Sequence, residues 1–205
     1  MKMEKEIEFK FNVPKEFENE EFLFSLKHIL NSEGYIVEKP EILTRRFSYY
    51  DTPDLDLHKI GGTLRLVEGF DSVRYKCKYR YDFKFGPLNN RVEGNLWNNQ
   101  LLDVNKIFLE ERAGIGLRKK VRRVAIATMI NYKGHLRKGR FVAEYTLDHV
   151  TVIEAGSFRE MEIELKEGRK EDLNKLSEVV QNRFNLERIT KQKYSRIIEM
   201  IGGKG

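Results

Sequence analysis

The feature that most constrains this chain is an extended segment whose charged face recurs elsewhere. From Lys5 to Asn12 charged and apolar residues alternate, so Ile7, Phe9 and Phe11 fall on one side of a strand and Glu6, Glu8 and Lys10 on the other. Near the C-terminus Glu160, Glu162 and Glu164 alternate with Met161, Ile163 and Leu165, and Lys76, Lys78 and Arg80 form a basic row of the same period. One wet face is ordinary for a sheet. Rows of like charge repel, however, and they become reasonable when they point into a closed barrel that holds ions of opposite sign.

The rest of the chain reads as a framework for such rows. A helical spacing of Phe17, Leu23, Leu26, Ile29 and Leu30 follows Pro14, which is suited to a helix start. Extended runs are expected at Thr44 to Asp51, Thr63 to Glu68, Val73 to Phe83, Asn90 to Leu96, Leu117 to Ile126, Gly139 to Val152 and Phe158 to Lys166. Thr52-Pro53-Asp54 and Gly61-Gly62 mark turns, and helical spacing returns at Leu173 to Phe184 and Tyr194 to Ile201. Many strands flanked by helices predict an α+β protein built on a large antiparallel sheet or barrel. With 205 residues, 40% of them hydrophobic, one domain covering residues 1–205 is expected.

Charge and cysteine usage narrow the setting. The net charge of +6 favours an anionic partner, yet 32 acids accompany 38 bases, so pattern matters more than sum. The single cysteine, Cys77, excludes an internal disulfide and is expected to be packed rather than reactive; no apolar leader or membrane-length run occurs. A soluble, reducing, cytoplasmic setting with no membrane partner is expected. His28, His58, His135 and His149 lack metal-ligand spacing, and Gly114-Ile115-Gly116 lacks the third glycine of a dinucleotide fingerprint. The basic stretch Lys133 to Arg140 reads as a solvated connection between strands, and without a reading motif or stacking platform a nucleic-acid partner is not expected.

Further charged residues share the alternation: Arg65, Arg91 and Glu93, Lys120 and Arg122, Glu144 and Asp148. Carboxylates suit hard divalent cations, and lysine and arginine give charge-assisted bonds to phosphoryl oxygens, so the two row types together point to a metal–phosphate site.

Glu6-Ile7-Glu8-Phe9-Lys10 resembles the Glu-x-Glu-x-Lys signature of the CYTH, or triphosphate tunnel metalloenzyme, superfamily. Tyr49 to Leu55, Gly62 to Arg65, Lys120 to Arg122, Asp148, Glu160 to Glu162 and Lys193-Tyr194 follow in the order this resemblance requires, over nearly the whole chain. It implies an antiparallel barrel of about eight strands with flanking helices around a hydrophilic tunnel. It implies metal binding, as Mg2+ or Mn2+, at Glu6, Glu8, Glu160, Glu162 and Glu164. It assigns catalytic or supporting roles to Lys10, Glu93 and Asp148, and substrate contacts to Arg65, Lys76, Lys78, Arg91, Lys120, Arg122 and Lys193. The implied activity is a metal-dependent triphosphatase acting on tripolyphosphate or a related organic triphosphate. Class IV adenylate cyclase and a non-catalytic polyphosphate-binding module are the alternatives. The chain departs from the pattern at Val67, where a second arginine is common, and Arg74 or Arg80 is the available substitute.

Overall fold

The computed structural model describes residues 7–68, 78–85, 92–106 and 119–203. Strands β1 (Glu8–Asn12), β2 (Ile36–Val37), β3 (Glu41–Asp51), β4 (Thr63–Glu68), β5 (Tyr79–Phe85), β6 (Val92–Asn98), β7 (Arg122–Lys138), β8 (Phe141–Val152), β9 (Gly156–Glu167) and β10 (Glu187–Arg188) form one antiparallel sheet. Helices α1 (Asn19–Ser32), α2 (Asp56–Lys59), α3 (Lys170–Phe184) and α4 (Lys193–Gly202) pack around it. The strand order is β10-β1-β9-β8-β7-β3-β4-β5-β6, with β2 paired to the far end of β7.

Register fixes which side chains share a face. Lys10, Glu162 and Thr146 stand side by side on β1, β9 and β8, and Asn12, Glu160, Asp148 and Asn131 form the next rank but one. The same face carries Tyr49, Arg65, Asp82 and Asn95 on β3 to β6. In a flat sheet β1 and β5 would lie about 29 Å apart, six spacings of ~4.8 Å. Here residues of β1 and β9 line one cavity with residues of β4 and β5, so the sheet curls and the charged face is its inside.

Apolar residues hold that curl from both sides. On the outside, Phe11, Met161, Ile163 and Leu147 pack against Phe22, Leu26 and Leu30 of α1 and Leu173, Leu176 and Val180 of α3. Each such side chain contributes about 1.5–3 kcal/mol when fully buried. Phe22 joins the two helices through Phe184, with ring centroids 4.8 Å apart. A smaller outer cluster sets Leu64, Leu66, Tyr81 and Phe83 against Leu57 of α2. One end of the inside is also apolar: Phe47, Val67, Ala127, Met129, Val150 and Phe158 receive Tyr194 and Ile197 of α4.

Three expectations are revised. The sheet has ten strands rather than eight and, among the described residues, its edges β10 and β6 do not pair, so the sheet is curled but open. Two residues of the edge that β1 would offer for closure, Phe11 and Asn12, are already paired with β10. The helix after Pro14 begins only at Asn19, because Pro14 accepts from Phe17 N–H in a preceding turn.

Lys133 to Lys138 belongs to β7 rather than to a connection, and only Gly139 and Arg140 form the turn. Its charges are paired: Lys133 lies 2.6 Å from Glu144, His135 faces Glu38 and Glu144, and Arg137 bonds Glu38. Gly134 belongs there because a Cβ would come within 2.7 Å of the Tyr145 ring, which crosses it to reach Glu38 O.

Candidate functional site

A cavity of about 140 Å3 opens inside the curl between two walls of opposite charge. Glu8 from β1 and Glu162 and Glu164 from β9 form one wall; Thr63, Arg65 and Lys84 from β4 and β5 form the other. Lys10 stands with the acids, while Tyr49, Gln192, Lys193 and Tyr194 complete the lining. Alternation alone brings these charges inward, since each occupies the face opposite to its strand's outer apolar residues.

Deeper along the acidic wall, Asp148, Glu160 and Glu162 each offer one carboxylate oxygen, all within 4.8 Å of one another. The ammonium of Lys193 sits among them, 2.7 Å from Asp148 Oδ2, 2.8 Å from Glu160 Oε1 and 2.9 Å from Glu162 Oε1. Lys10 donates to Glu162 at 2.9 Å and lies 3.2 Å from Glu8; Arg196 donates to Glu160 Oε2 at 2.9 Å. Asn131 donates to Asp148.

This crowding sets protonation. Burial alone would raise Glu162, but Lys10 and Lys193 hold it well below the usual carboxylate range. Glu160 has no exposed surface, and burial pushes it up against the pull of Lys193, with the Glu162 charge adding to the rise. Lys193 shows the converse: burial would lower it, but Asp148, Glu160 and Glu162 hold it well above the ordinary lysine value. Glu162 is therefore held as a carboxylate and Lys193 as an ammonium.

The opposite wall gathers guanidinium groups around Asp82. Arg65 Nε donates to Asp82 Oδ2 at 2.9 Å, and Arg80 Nε lies 2.7 Å from Asp82 Oδ1. Burial would raise Asp82, but Arg65 and Arg80 hold it below the usual range. Their planes are fixed by rings, Arg65 over Phe47 at 4.7 Å and Arg80 over Trp97 at 5.3 Å. Arg80 pairs directly with Val67, so a guanidinium stands on the strand beside the position where the second arginine was missing. Arg45 adds a third: its buried Nε has no hydrogen-bond partner, and burial together with Arg80 and Arg65 depresses its pKa.

The structure thus brings together Glu8, Lys10, Arg65, Glu162, Glu164 and Lys193 in the cavity lining, with Asp148 and Glu160 joined to it through Lys193. Lys78, Lys120 and Arg122 are exposed and do not line the cavity. Arg122 stands at the exposed start of β7, where it pairs with Asp51 beyond an irregularity at Tyr49/Tyr50. Glu6, Lys76, Arg91, Arg74 and Cys77, and the side chain of Glu93, lie outside the described residues. Sequence reading missed Lys84, Arg45 and Arg196. Lys84 continues the inward phase of Arg80 and Asp82, and Arg196 lies one helical turn after Lys193.

What points Lys193 inward is a buried carboxylate beside the site. Asp51 Oδ1 accepts from Thr52 N at 2.7 Å and Leu57 N at 2.8 Å; its Oδ2 accepts from His58 N at 3.0 Å and Tyr194 Oη at 2.8 Å. Tyr194 also stacks on Tyr49, with centroids 5.3 Å apart. These contacts pin the first turn of α4 and leave the Lys193 stem free to extend into the acidic cluster.

No known family model matches the chain, and no curated protein matches its sequence. Solved structures do match its fold. A candidate adenylate cyclase from Bacillus halodurans aligns with a TM-score of 0.57 at 18% identity, over 94% of this chain and 97% of that one. A Pyrococcus horikoshii protein gives 0.56 at 20% identity, over 95% and 98%. A candidate adenylyl cyclase from Hippeastrum, in which triphosphatase activity is dominant, gives 0.56 at 15% identity, over 95% of each chain. These likenesses establish the fold alone: a large antiparallel sheet with flanking helices that the chain shares with those proteins.

Proposed function

We propose that this chain is a divalent-metal-dependent triphosphatase whose substrate is inorganic tripolyphosphate or a compact organic triphosphate. The observation that carries the reading is the opposition of a carboxylate wall and a guanidinium–ammonium wall across one cavity of about 140 Å3. Fold likeness to a protein with dominant triphosphatase activity supports it. The volume lies below the roughly 300–1,000 Å3 typical of pockets for larger organic ligands, which favours a short inorganic chain over a whole nucleotide.

A hard divalent cation fits the acidic cluster. Asp148, Glu160 and Glu162 supply an all-oxygen donor set. Glu160 Oε1 is buried with no well-directed hydrogen bond, although Lys193 is 2.8 Å away, so a donor atom is available. Mg2+ or Mn2+ held there, with Glu8 and Glu164 at the cavity side, would supply charge neutralisation for a phosphoryl group in transfer.

The chain's own residues do the rest. Arg65, its plane locked by Asp82 and Phe47, presents its outer nitrogens to phosphoryl oxygens in a fixed orientation. Lys10 and Lys193 bring positive charge to the acidic side of the chain of phosphates. The Tyr49–Tyr194 stack joins the cavity to the apolar cluster at its other end. Fixed charges of this kind act on the transition state without reorganising.

Incubation with tripolyphosphate or ATP, each with Mg2+ or Mn2+, separates the readings. Phosphate release from tripolyphosphate exceeding that from ATP is expected. Cyclic AMP with pyrophosphate would instead assign a cyclase, and saturable binding without turnover a non-catalytic module.

A further inference from the structure

We infer that Lys193 is a resident cation that occupies the divalent-ion position and must leave it for an ion to bind. The inference rests on the proposed role of Asp148, Glu160 and Glu162 as metal ligands.

The ammonium of Lys193 lies 2.7, 2.8 and 2.9 Å from one oxygen each of Asp148, Glu160 and Glu162. The same three acids each offer one carboxylate oxygen within 4.8 Å of the others', so the residues that hold the ammonium are also those that could hold an ion. A bound Mg2+ draws oxygens to about 2.0–2.1 Å and would use the same lone pairs, so ammonium and ion exclude each other. The arrangement also sets a compensating positive charge among three clustered acids, one of them with no exposed surface.

Displacement needs little movement of the backbone. Tyr194 is bonded to Asp51 and Gln192 to Gly61 O, so the start of α4 is held from two sides. Lys193 is the first residue of α4, and its flexible stem already lines the cavity next to the acids. An ammonium expelled from the cluster therefore enters the space between Glu8 and Arg65, where the phosphate chain is proposed to lie. Ion entry then creates a phosphate ligand, and the two bind cooperatively. The bond from Lys10 to Glu162 persists in this scheme, so one cation remains to orient that carboxylate.

Titration of the full chain with Mn2+, read by the loss of the free-ion EPR signal, tests this without turnover. Lys193→Met is expected to bind Mn2+ at least about tenfold more tightly than the wild type, because the competing cation is gone. Lys193→Arg, which retains a cation, should stay near the wild type. Unchanged or weaker binding by Lys193→Met overturns the inference.

A second measurement uses the wild type alone. Acylation of Lys193, followed by mass spectrometry, should rise when Mn2+ saturates the protein, and unchanged labelling overturns the inference. Mn2+ uptake that is lost in Glu162→Gln but indifferent to Lys193 would remove only this inference. Absence of uptake in folded wild type and Lys193→Met alike would remove the metal reading itself.

Discussion

Replacing Asp51 tests whether one buried carboxylate holds the site together. It accepts four hydrogen bonds, from Thr52, Leu57 and His58 backbone N–H groups and from the Tyr194 hydroxyl, and has no exposed surface. In Asp51→Asn the amide oxygen can keep the bonds to Thr52 and Leu57. The amide NH2 then faces His58 N–H and Tyr194 Oη; the hydroxyl can rotate to accept, but the backbone donor cannot. Two charge-assisted bonds at ~1.5–3 kcal/mol each are weakened, and one buried donor is orphaned at ~1–3 kcal/mol. The expected loss is about 3–4 kcal/mol for Asp51→Asn and about 5 kcal/mol for Asp51→Ala. Either is a large share of the ~5–15 kcal/mol by which such chains are stable. Urea denaturation followed by circular dichroism gives both values, and a conservative variant within about 1 kcal/mol of wild type would refute the reasoning.

Two further substitutions examine the frame behind the site. The Tyr145 hydroxyl donates to Glu38 O at 2.8 Å, and burial pushes its pKa up to about 12. A folded-state pKa raised above the unfolded value of about 10 means that the contribution is complete below pH ~10 and is lost as pH rises towards 12. Wild type should therefore lose about 1 kcal/mol more than Tyr145→Phe across that window, allowing for screening by solvent, and parallel stability profiles would contradict the assignment. Gly134→Ala would place a Cβ 2.7 Å from the Tyr145 ring and is expected to cost about 1–3 kcal/mol, with the cost shrinking in a Tyr145→Ala background. Equal costs in both backgrounds, measured by the same urea melts, would locate the strain elsewhere.

The alternation of Glu8 and Lys10 with Ile7, Phe9 and Phe11, and of Glu160 to Glu164 with Met161 and Ile163, was enough to anticipate two charged strands but not that they are neighbours. Their register, Glu8 against Glu164 and Lys10 against Glu162, makes them one wall. The opposite wall was only half legible. Lys78 has the right phase but lies exposed just before β5, and phase cannot say how far along a strand the cavity reaches. Arg45 escaped notice because its importance comes from Arg65 and Arg80 on strands that are remote in sequence. The Lys133 to Arg140 stretch looked solvated because its partners, Glu38 and Glu144, belong to other segments. Likewise, Lys193 read as a phosphate ligand, since nothing local reveals that three carboxylates surround it.

The proposed activity is hydrolysis of triphosphates by the acidic cluster and the cavity beside it through a bound divalent ion. Its most direct test is phosphate release from tripolyphosphate by wild type and Glu162→Gln, each with and without Mg2+ or Mn2+. Release by wild type that vanishes with chelator and falls at least about 100-fold in folded Glu162→Gln is predicted. Hydrolysis that persists without divalent ions, or that survives Glu162→Gln, would contradict it.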